Sequence, residues 1–340
     1  MRRTLLTRSA AFGSAVAGSS ARSLVTSTLA LVLLSIGVAT TIAPSAGASP
    51  TQTHASSRTQ SGTVHGVIHA VGAENEYANV LSQIGGRYVS VSSILDNPNT
   101  DPHSFEASSQ VARQVSQAEI VVQNGLGYDT FMNDIEAASP NPERKVIVAQ
   151  HVLRLPDSTA NPHLWYSPRT MPAVAQVMAK DLSALQPAHE TYFSSRLATF
   201  DTSLQPWLKS IAAFKAQYPG VAVATTEPVA DDLLSAMGMK NLTPFAFQAD
   251  IMNGVDPAPQ DVALEDSFFT KHNAAVFCYN QQVVDSLTSA IRRAAQADRV
   301  PVVGVYETMP APGYDYQSWM QSEVAAIRAA VVDHVSTQHL

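Results

Sequence analysis

The sequence has little cysteine and little charge. Its single cysteine, Cys278, lies in an apolar run at 274–279, so no internal disulfide can stabilise the fold. No cysteine directly follows the N-terminal apolar segment either, so we expect no lipid attachment at a mature N-terminal cysteine. Charged residues make up only 14% of the 340 residues and hydrophobic residues 45%, a composition typical of a folded chain with a sizeable core.

Basic residues are especially scarce after residue 48. The four basic residues before that point (Arg2, Arg3, Arg8 and Arg22) lie in a segment without acids, which leaves 17 basic against 28 acidic residues in the remainder, a net charge of −11. Binding a phosphate backbone needs a basic face, so we expect no nucleic-acid partner. An acidic chain is compatible with cation binding but does not by itself indicate it.

Two common signatures of zinc chemistry are also missing. The sequence contains no H-E-x-x-H, the helical ligand pair of many metallopeptidases, and no histidine-rich tract of the kind that scavenges zinc.

The first 48 residues have the order of an export signal. A basic stretch precedes the apolar run 24–43, Pro44 ends that run, and residues 46–48 (Ala-Gly-Ala) offer a small-x-small cleavage site. We expect cleavage after Ala48 and an exported, extracytoplasmic protein. The alternative is an uncleaved N-terminal anchor, because the apolar run approaches the length that spans a membrane.

The rest of the chain alternates short β-type runs with amphipathic stretches, which predicts α/β lobes. Between them, 187–217 has an apolar face at spacings of 3, 4 and 7, which predicts one long helix that Pro206 should kink. We therefore predict two similar α/β lobes joined by a bridging helix. The predicted divisions are a signal peptide at 1–48, a flexible tether at 49–63, an N-terminal lobe at 64–186, the bridging helix at 187–217 and a C-terminal lobe at 218–340.

Four loops that follow strand-like runs each present a side chain able to bind a metal. In an open α/β sheet, ligands bind beyond the carboxyl ends of the strands, and these loops lie there. The candidates are His103 in the loop 97–106, His163 in the loop 161–168, Glu227 after the strand-like run 221–225 and Glu307 after the run 302–305.

The two histidines stand in similar surroundings. His103 follows Asp-Pro and His163 follows Asn-Pro, so two proline-framed loops each present an imidazole. Asp101 and Glu106 are nearby acids that could orient the ring of His103, and Trp165 could shield the site from water. A single loop histidine is more often a surface or capping residue, but the repetition favours a shared role for these two.

The two glutamates complete the candidate set. Glu227 could instead be an ordinary acid at the start of a helix. Glu307 follows a buried strand, and an unpaired buried carboxylate is costly, so we expect a cation or a donor beside it. Two imidazoles and two carboxylates suit zinc, manganese or iron, and four protein ligands leave no open position for catalysis.

The chain resembles the zinc/manganese solute-binding proteins of bacterial ABC transporters, the TroA-like family. The Asp-Pro-His and Asn-Pro-His pair, followed by a long bridging helix, carries most of this resemblance, which spans roughly 64–330. The matching segments are 99–106, 122–127, 161–165, 279–282 and 300–307. The resemblance implies two lobes joined by a rigid helix, with one metal ion in the cleft between them.

In that family the ligands are two histidines, then a histidine or glutamate, then an acid after the last strand of the second lobe. By resemblance these are His103, His163, Glu227 and Glu307. Many members carry Asp at the fourth position, so Glu307 departs by one methylene and its direct ligation stays open. The implied cargo is one zinc or manganese ion, and the implied partner is a cognate membrane permease, with the protein a monomer and not an enzyme.

Two other functions remain open at this stage. A secreted zinc-dependent hydrolase would need an open coordination position with a general base beside it. A surface adhesin of the same fold would need a binding motif that the sequence does not display. For a metal carrier, protons compete with the metal for the histidines, so we expect affinity to fall below about pH 6.

Overall fold

The structure, a computed structural model, describes residues 66–99, 101–310 and 312–340. The expected signal peptide, 1–48, and tether, 49–63, lie outside the described residues. Within the described ranges, no helix combines the length and the apolar character needed to cross a membrane.

The first lobe is built on a parallel sheet of four strands. The strands are β1 (Ile68–Glu74), β2 (Val89–Leu95), β3 (Ile120–Gln123) and β4 (Lys145–Val148). The helices are α1 (Asn75–Gly85), α2 (Ser109–Gln117), α3 (Thr130–Ala138), α4 (Ala149–Val152) and α5 (Thr170–Leu185). The strand order is β2-β1-β3-β4, and every residue of the central strand β3 is buried, as expected where helices cover both faces of a parallel sheet.

The bridging segment is two helices rather than one. After a 3-10 turn at Pro187–His189, α6 (Glu190–Ser203) and α7 (Gln205–Gln217) are separated at Leu204. Pro206 lies in the first turn of α7, where its missing N–H costs nothing and its fixed φ suits a helix start. Leu204 keeps right-handed helical dihedral angles, and its N–H and carbonyl bond to Phe200 and Leu208, so α7 follows α6 directly and the proline interrupts the segment at the predicted place.

The second lobe repeats the arrangement of the first. Its strands are β5 (Ala222–Thr225), β6 (Lys240–Asn241), β7 (Val276–Asn280) and β8 (Val302–Val305), all parallel, in the order β6-β5-β7-β8. The helices are α8 (Asp231–Ala236), α9 (Phe245–Met252), α10 (Pro259–Thr270), α11 (Ser286–Ala297) and α12 (Tyr316–Asp333). In each sheet the second strand is at the edge beside the first, followed by the third and fourth. This confirms the predicted fold class of two similar α/β lobes.

One hydrophobic core extends through both lobes and the bridging helices. Its main cluster includes Ile120 from the first sheet, Phe200 from α6, Val303 from the second sheet and Trp319 from α12. The last helix, α12, packs against both α7 and β8. Each fully buried large side chain contributes about 1.5–3 kcal/mol, so this shared core opposes wide separation of the lobes.

Candidate metal site between the lobes

The His103 loop is held in shape by its own residues. Pro102, His103 and Ser104 form a short 3-10 turn after β2, and the side chain of Asp101 accepts a hydrogen bond from the backbone N–H of His103 at 2.8 Å. Asp101 therefore orients the loop rather than the imidazole ring that the sequence suggested, and Glu106 is exposed. The side chain of His103 keeps a quarter of its surface exposed.

The His163 ring is fully buried and its orientation is fixed by Asn161. The Oδ1 atom of Asn161 accepts from the backbone N–H of His163 at 3.1 Å and lies 2.8 Å from the ring Nδ1. Because an amide oxygen is an acceptor, this contact places a proton on Nδ1 and directs Nε2 into the site. Trp165 packs edge-on against this ring, with centroids 5.5 Å apart, and excludes water from that side.

Glu307 lies at the centre of the site. Its Oε2 atom is 3.2 Å from the Nε2 atoms of both His103 and His163, and it accepts a hydrogen bond from the hydroxyl of Tyr128 at 3.0 Å. The other oxygen, Oε1, accepts from Nδ2 of Asn280 at 2.7 Å. The buried carboxylate therefore has both the cationic partners and the neutral donors that its position requires.

Glu227 lies beside this group without joining it. It follows β5 and is buried, and Nδ2 of Asn280 donates to its Oε1 at 3.1 Å, so one amide group bridges the carboxylates of Glu227 and Glu307. Its Oε2 atom is buried with no hydrogen-bond partner. Glu227 is not a helix cap, because α8 begins only at Asp231 with Ala230 as its cap. A buried carboxylate oxygen without a donor is what a bound cation would satisfy.

Within the described part of the chain, one group of three metal-competent side chains has its ligand atoms within 4.8 Å of one another. The group is His103, His163 and Glu307. Two of its members come from loops of the first lobe and one from the second lobe. Glu227, the fourth predicted ligand, is not part of this group. It would join the group if it moved toward the other three side chains, or if a bound metal ion drew the four together.

The charges of these groups are strongly coupled. Burial alone would raise the pKa of Glu307, but hydrogen bonds from His103 and His163 and their positive charge hold it well below its usual range. Burial lowers the pKa of His103, yet the hydrogen bond and the charge of Glu307 outweigh burial and raise it. The pKa of Glu227 is raised well above its usual value, first by burial and then by the negative charge of Glu307.

Sequence reasoning missed three side chains that shape the site. Tyr128 follows the Asn-Gly-Leu-Gly turn, Asn280 ends β7, and Gln282 accepts from the backbone N–H of Glu307 at 2.7 Å. The segments 122–127 and 279–282 marked the resemblance, but their residue types alone indicate no ligand role. A cavity of about 380 Å³ is lined by His103 together with Asp101 and Met252 of α9.

The sequence model of the family described as ZnuA, "Zinc-uptake complex component A periplasmic", matches residues 71–330. The chain belongs to this family. The match covers both lobes and all four predicted ligands, and it confirms the resemblance stated from the sequence. Proteins of the ZnuA family are extracytoplasmic components of metal transport and are not a class of enzymes.

Individual relatives are more distant. The manganese-binding lipoprotein MntA of Bacillus subtilis is 26% identical over 145 residues, which is 41% of this chain and 47% of MntA. The zinc-binding protein TroA of Treponema pallidum is 22% identical over 161 residues, 42% of this chain and 52% of TroA. The chain thus spans about half the length of the curated relatives it matches.

A solved structure shows the same fold. The solute-binding protein FpvC of Pseudomonas aeruginosa, in complex with Mn²⁺, superposes with a TM-score of 0.64 at 19% identity, covering 78% of this chain and 99% of FpvC. At this level of identity the similarity establishes the two-lobed architecture and not the ligand.

Proposed function

We propose that this protein captures one divalent transition-metal ion, zinc or manganese, outside the cytoplasm and delivers it to a cognate ABC permease. The observation that carries the proposal is the convergence of His103, His163 and Glu307 on one point between the lobes. The ion would replace the proton-mediated contacts that now join the two imidazoles to Glu307 Oε2. Membership of the ZnuA family and the metal-binding relatives MntA and TroA support this assignment.

The four ligands we propose are His103, His163, Glu227 and Glu307. The directed Nε2 atom of His163, the central position of Glu307 and the unpartnered oxygen of Glu227 support this set. Imidazole nitrogens suit zinc and manganese alike, whereas two carboxylates favour the harder ion, so the residues are compatible with either. A titration in competition has to decide between the two metals.

We further propose that the protein acts as a monomer without nucleic acid or catalysis. The remainder after Ala48 carries a net charge of −11, which repels a phosphate backbone. Four protein ligands would leave no position for the activated water of a hydrolase. Export with cleavage after Ala48 completes the proposal, since a periplasmic or surface location gives access to external metal.

Elemental analysis of residues 49–340 after competitive titration with zinc and manganese tests the proposal. We expect one tightly held equivalent in the wild type, and its loss in His103→Ala and His163→Ala. His151→Ala is the matched control, because His151 is an exposed histidine of the first lobe outside the site. Absence of metal from the wild type, or unchanged affinity in both site variants, would contradict the proposal.

The same preparation tests the hydrolase alternative. We expect the metal-loaded protein to show no turnover of simple ester or peptide substrates above the rate of the His103→Ala variant. Turnover that depends on His103 and on bound metal would instead favour the enzyme.

A further inference from the structure

The segment that carries Glu307 belongs to the second lobe in sequence but is held largely by the first. This Glu307 segment, residues 306–309, follows β8 directly. From its own lobe, Oε1 of Gln282 accepts from the backbone N–H groups of Glu307 and Thr308 at 2.7 and 2.8 Å. Nε2 of the same side chain donates to Oγ1 of Thr308 at 3.0 Å. Gln282 therefore supports the middle of the segment, while the backbone N–H and carbonyl groups of Tyr306 and Met309 bond to other partners.

Asn75, at the first position of α1, holds the far end of the segment. Its Nδ2 donates to the carbonyl of Met309 at 2.9 Å, and its Oδ1 accepts from the N–H of Met309 at the same distance. Asn75 is buried, so these bonds do not compete with water. A side chain that pairs with both backbone groups of one residue fixes its position and its orientation together.

Tyr166, three residues after His163, holds the near end in the same way. Its hydroxyl accepts from the N–H of Tyr306 at 3.1 Å and donates to the carbonyl of Tyr306 at 2.9 Å. Tyr166 is fully buried. The backbone on either side of Glu307 is therefore tied to the first lobe by four buried hydrogen bonds.

Glu323 of α12 stabilises this arrangement of the Tyr166 hydroxyl. Its Oε1 lies 3.1 Å from that hydroxyl and also accepts from Nε1 of Trp319 at 3.0 Å. Burial raises the pKa of Glu323 to about 8, so at neutral pH the carboxyl carries a proton. Oε1 of Glu323 and the carbonyl of Tyr306 are both within reach of the single hydroxyl hydrogen, and protonation weakens Glu323 as an acceptor, which favours the bond to the carbonyl.

Glu227 has a much weaker connection to the first lobe. Among the residues that the structure describes, one partly buried hydrogen bond links that lobe to the loop, from Nδ2 of Asn161 to the carbonyl of Pro228 at 2.9 Å. The two carboxylates of the site thus differ in how firmly they are fixed relative to the histidines. Glu307 is held by four buried bonds, and Glu227 follows the second lobe.

We infer that Asn75 and Tyr166 are positioning residues that fix the Glu307 segment to the first lobe, so that His103, His163 and Glu307 form a preassembled trio and Glu227 closes the site. This inference rests on the proposed function for what it says of metal. Its structural part, the attachment of the segment, does not. In this arrangement, movement of the second lobe changes the distance from Glu227 to the ion and leaves the other three ligands in place.

Three variants test the inference: Asn75→Leu, Tyr166→Phe and their combination. Asn75→Leu keeps most of the side-chain volume, and Tyr166→Phe removes one hydroxyl group. The matched control is Val80→Ala, because Val80 is a fully buried apolar residue on the same helix as Asn75 and contacts no part of the site through polar atoms. All four variants and the wild type are studied as residues 49–340.

The first measurement is amide hydrogen exchange of the metal-free proteins, followed on peptides that cover 302–310. We expect amide exchange to accelerate about tenfold at Met309 in Asn75→Leu and at Tyr306 in Tyr166→Phe, with a smaller change elsewhere. The control should accelerate exchange around α1 without this local effect. If the double variant exchanged its amides at the same rates as Val80→Ala throughout 302–310, the inference would be overturned.

The second measurement is metal affinity and dissociation rate for zinc and manganese. Partners that orient a ligand are worth about 10–100-fold in metal affinity, so we expect each single variant to raise Kd by about that factor, mainly through faster dissociation. Val80→Ala should leave Kd within about twofold of the wild type. Equal Kd in the control and the double variant would reduce Asn75 and Tyr166 to ordinary structural residues.

The two measurements separate failure of this inference from failure of the proposed function. If the wild type binds no metal, the proposed function is wrong, and hydrogen exchange alone decides whether the Glu307 segment is held as inferred. If the wild type binds metal and the variants retain both local protection and affinity, only the inference is wrong. Should the double variant fail to fold, the two single variants give the same decision.

Discussion

Neutralising Glu307 should weaken metal binding far more than neutralising Glu227. Glu307→Gln keeps the size of the side chain and removes its charge from the point where both imidazoles meet. Glu227→Gln makes the same chemical change at the neighbouring carboxylate, which the side-chain amide of Asn280 links to Glu307. The pair therefore compares two carboxylates of the same lobe that differ in their position relative to the histidines.

The expected magnitudes follow from burial and charge. Glu307 is fully buried and already ionised, because the pKa of its carboxyl is held low by the histidines despite burial. Removing a charge from such a buried set costs about 3–5 kcal/mol, which is a factor of roughly 10²–10⁴ in Kd. Burial and the negative charge of Glu307 raise the pKa of Glu227, which disfavours its ionised form, so part of the gain from this ligand is lost. We expect about a tenfold rise in Kd for Glu227→Gln.

The assay is competition for zinc and for manganese against a chromophoric chelator at pH 7 and fixed ionic strength. Glu265→Gln serves as the control, since Glu265 is another buried acid of the second lobe with a raised pKa, about 8, and it is bound to Thr243 away from the site. Its Kd should equal that of the wild type. Equal losses in the two site variants, or a larger loss in Glu227→Gln, would refute the proposed hierarchy, and no loss in either would refute the site.

Three further predictions concern pH and metal removal. The pKa of His103 is raised, and metal binding must displace the proton from its ring. As pH falls, Kd should therefore rise by up to about tenfold per pH unit, and this rise should begin above pH 6.5, the ordinary pKa of histidine. An affinity independent of pH between 6 and 8 would contradict this. In the folded state Glu323 keeps its proton up to about pH 8, whereas in the unfolded chain it loses the proton near pH 4.5, so the stability of the wild type should fall as pH rises. Between pH 6 and 8, urea unfolding of the metal-free wild type should show a loss about 2 kcal/mol larger than that of Glu323→Gln. Parallel curves for the two proteins would exclude that carboxyl as the cause. Metal at 100 times its Kd should stabilise the wild type by about 2.7 kcal/mol, a chelator should remove the effect, and Glu307→Gln at the same metal concentration should show little of it.

The prediction from sequence worked best where local chemistry determines structure. The strand-like run 302–305 is β8 to the residue, and the run 221–225 is β5 to within one residue, because each is a short apolar run with β-type residues. The two-residue strand β6 and the helix α9 were missed. β6 is too short to show a period, and α9 (Phe-Ala-Phe-Gln-Ala-Asp-Ile-Met) has too little polar contrast around its axis for an apolar face to be recognised.

In the candidate site, too, some residues could be predicted from local sequence and others could not. His103 and His163 could be selected because each directly follows a proline in a loop that presents its side chain, and Glu307 because an acid after a buried strand needs a partner. Asn280 and Asn75 could not, since an asparagine at a strand end or helix start is ordinary by itself. Their importance depends on contacts with residues 27 to 234 positions away, which no local pattern encodes.

The extra methylene of Glu307 has a physical explanation in how its segment is held. The sequence left open whether a glutamate at this position would set the loop further back or favour bidentate binding. Asn280 occupies Oε1 while Oε2 alone faces the two imidazoles, so the carboxylate presents one oxygen to the histidines. The backbone of the segment is meanwhile fixed by Tyr166 and Asn75 at its two ends. With the backbone held there, a shorter aspartate could not reach both imidazoles without breaking those bonds, and the longer side chain supplies the reach that the fixed loop requires.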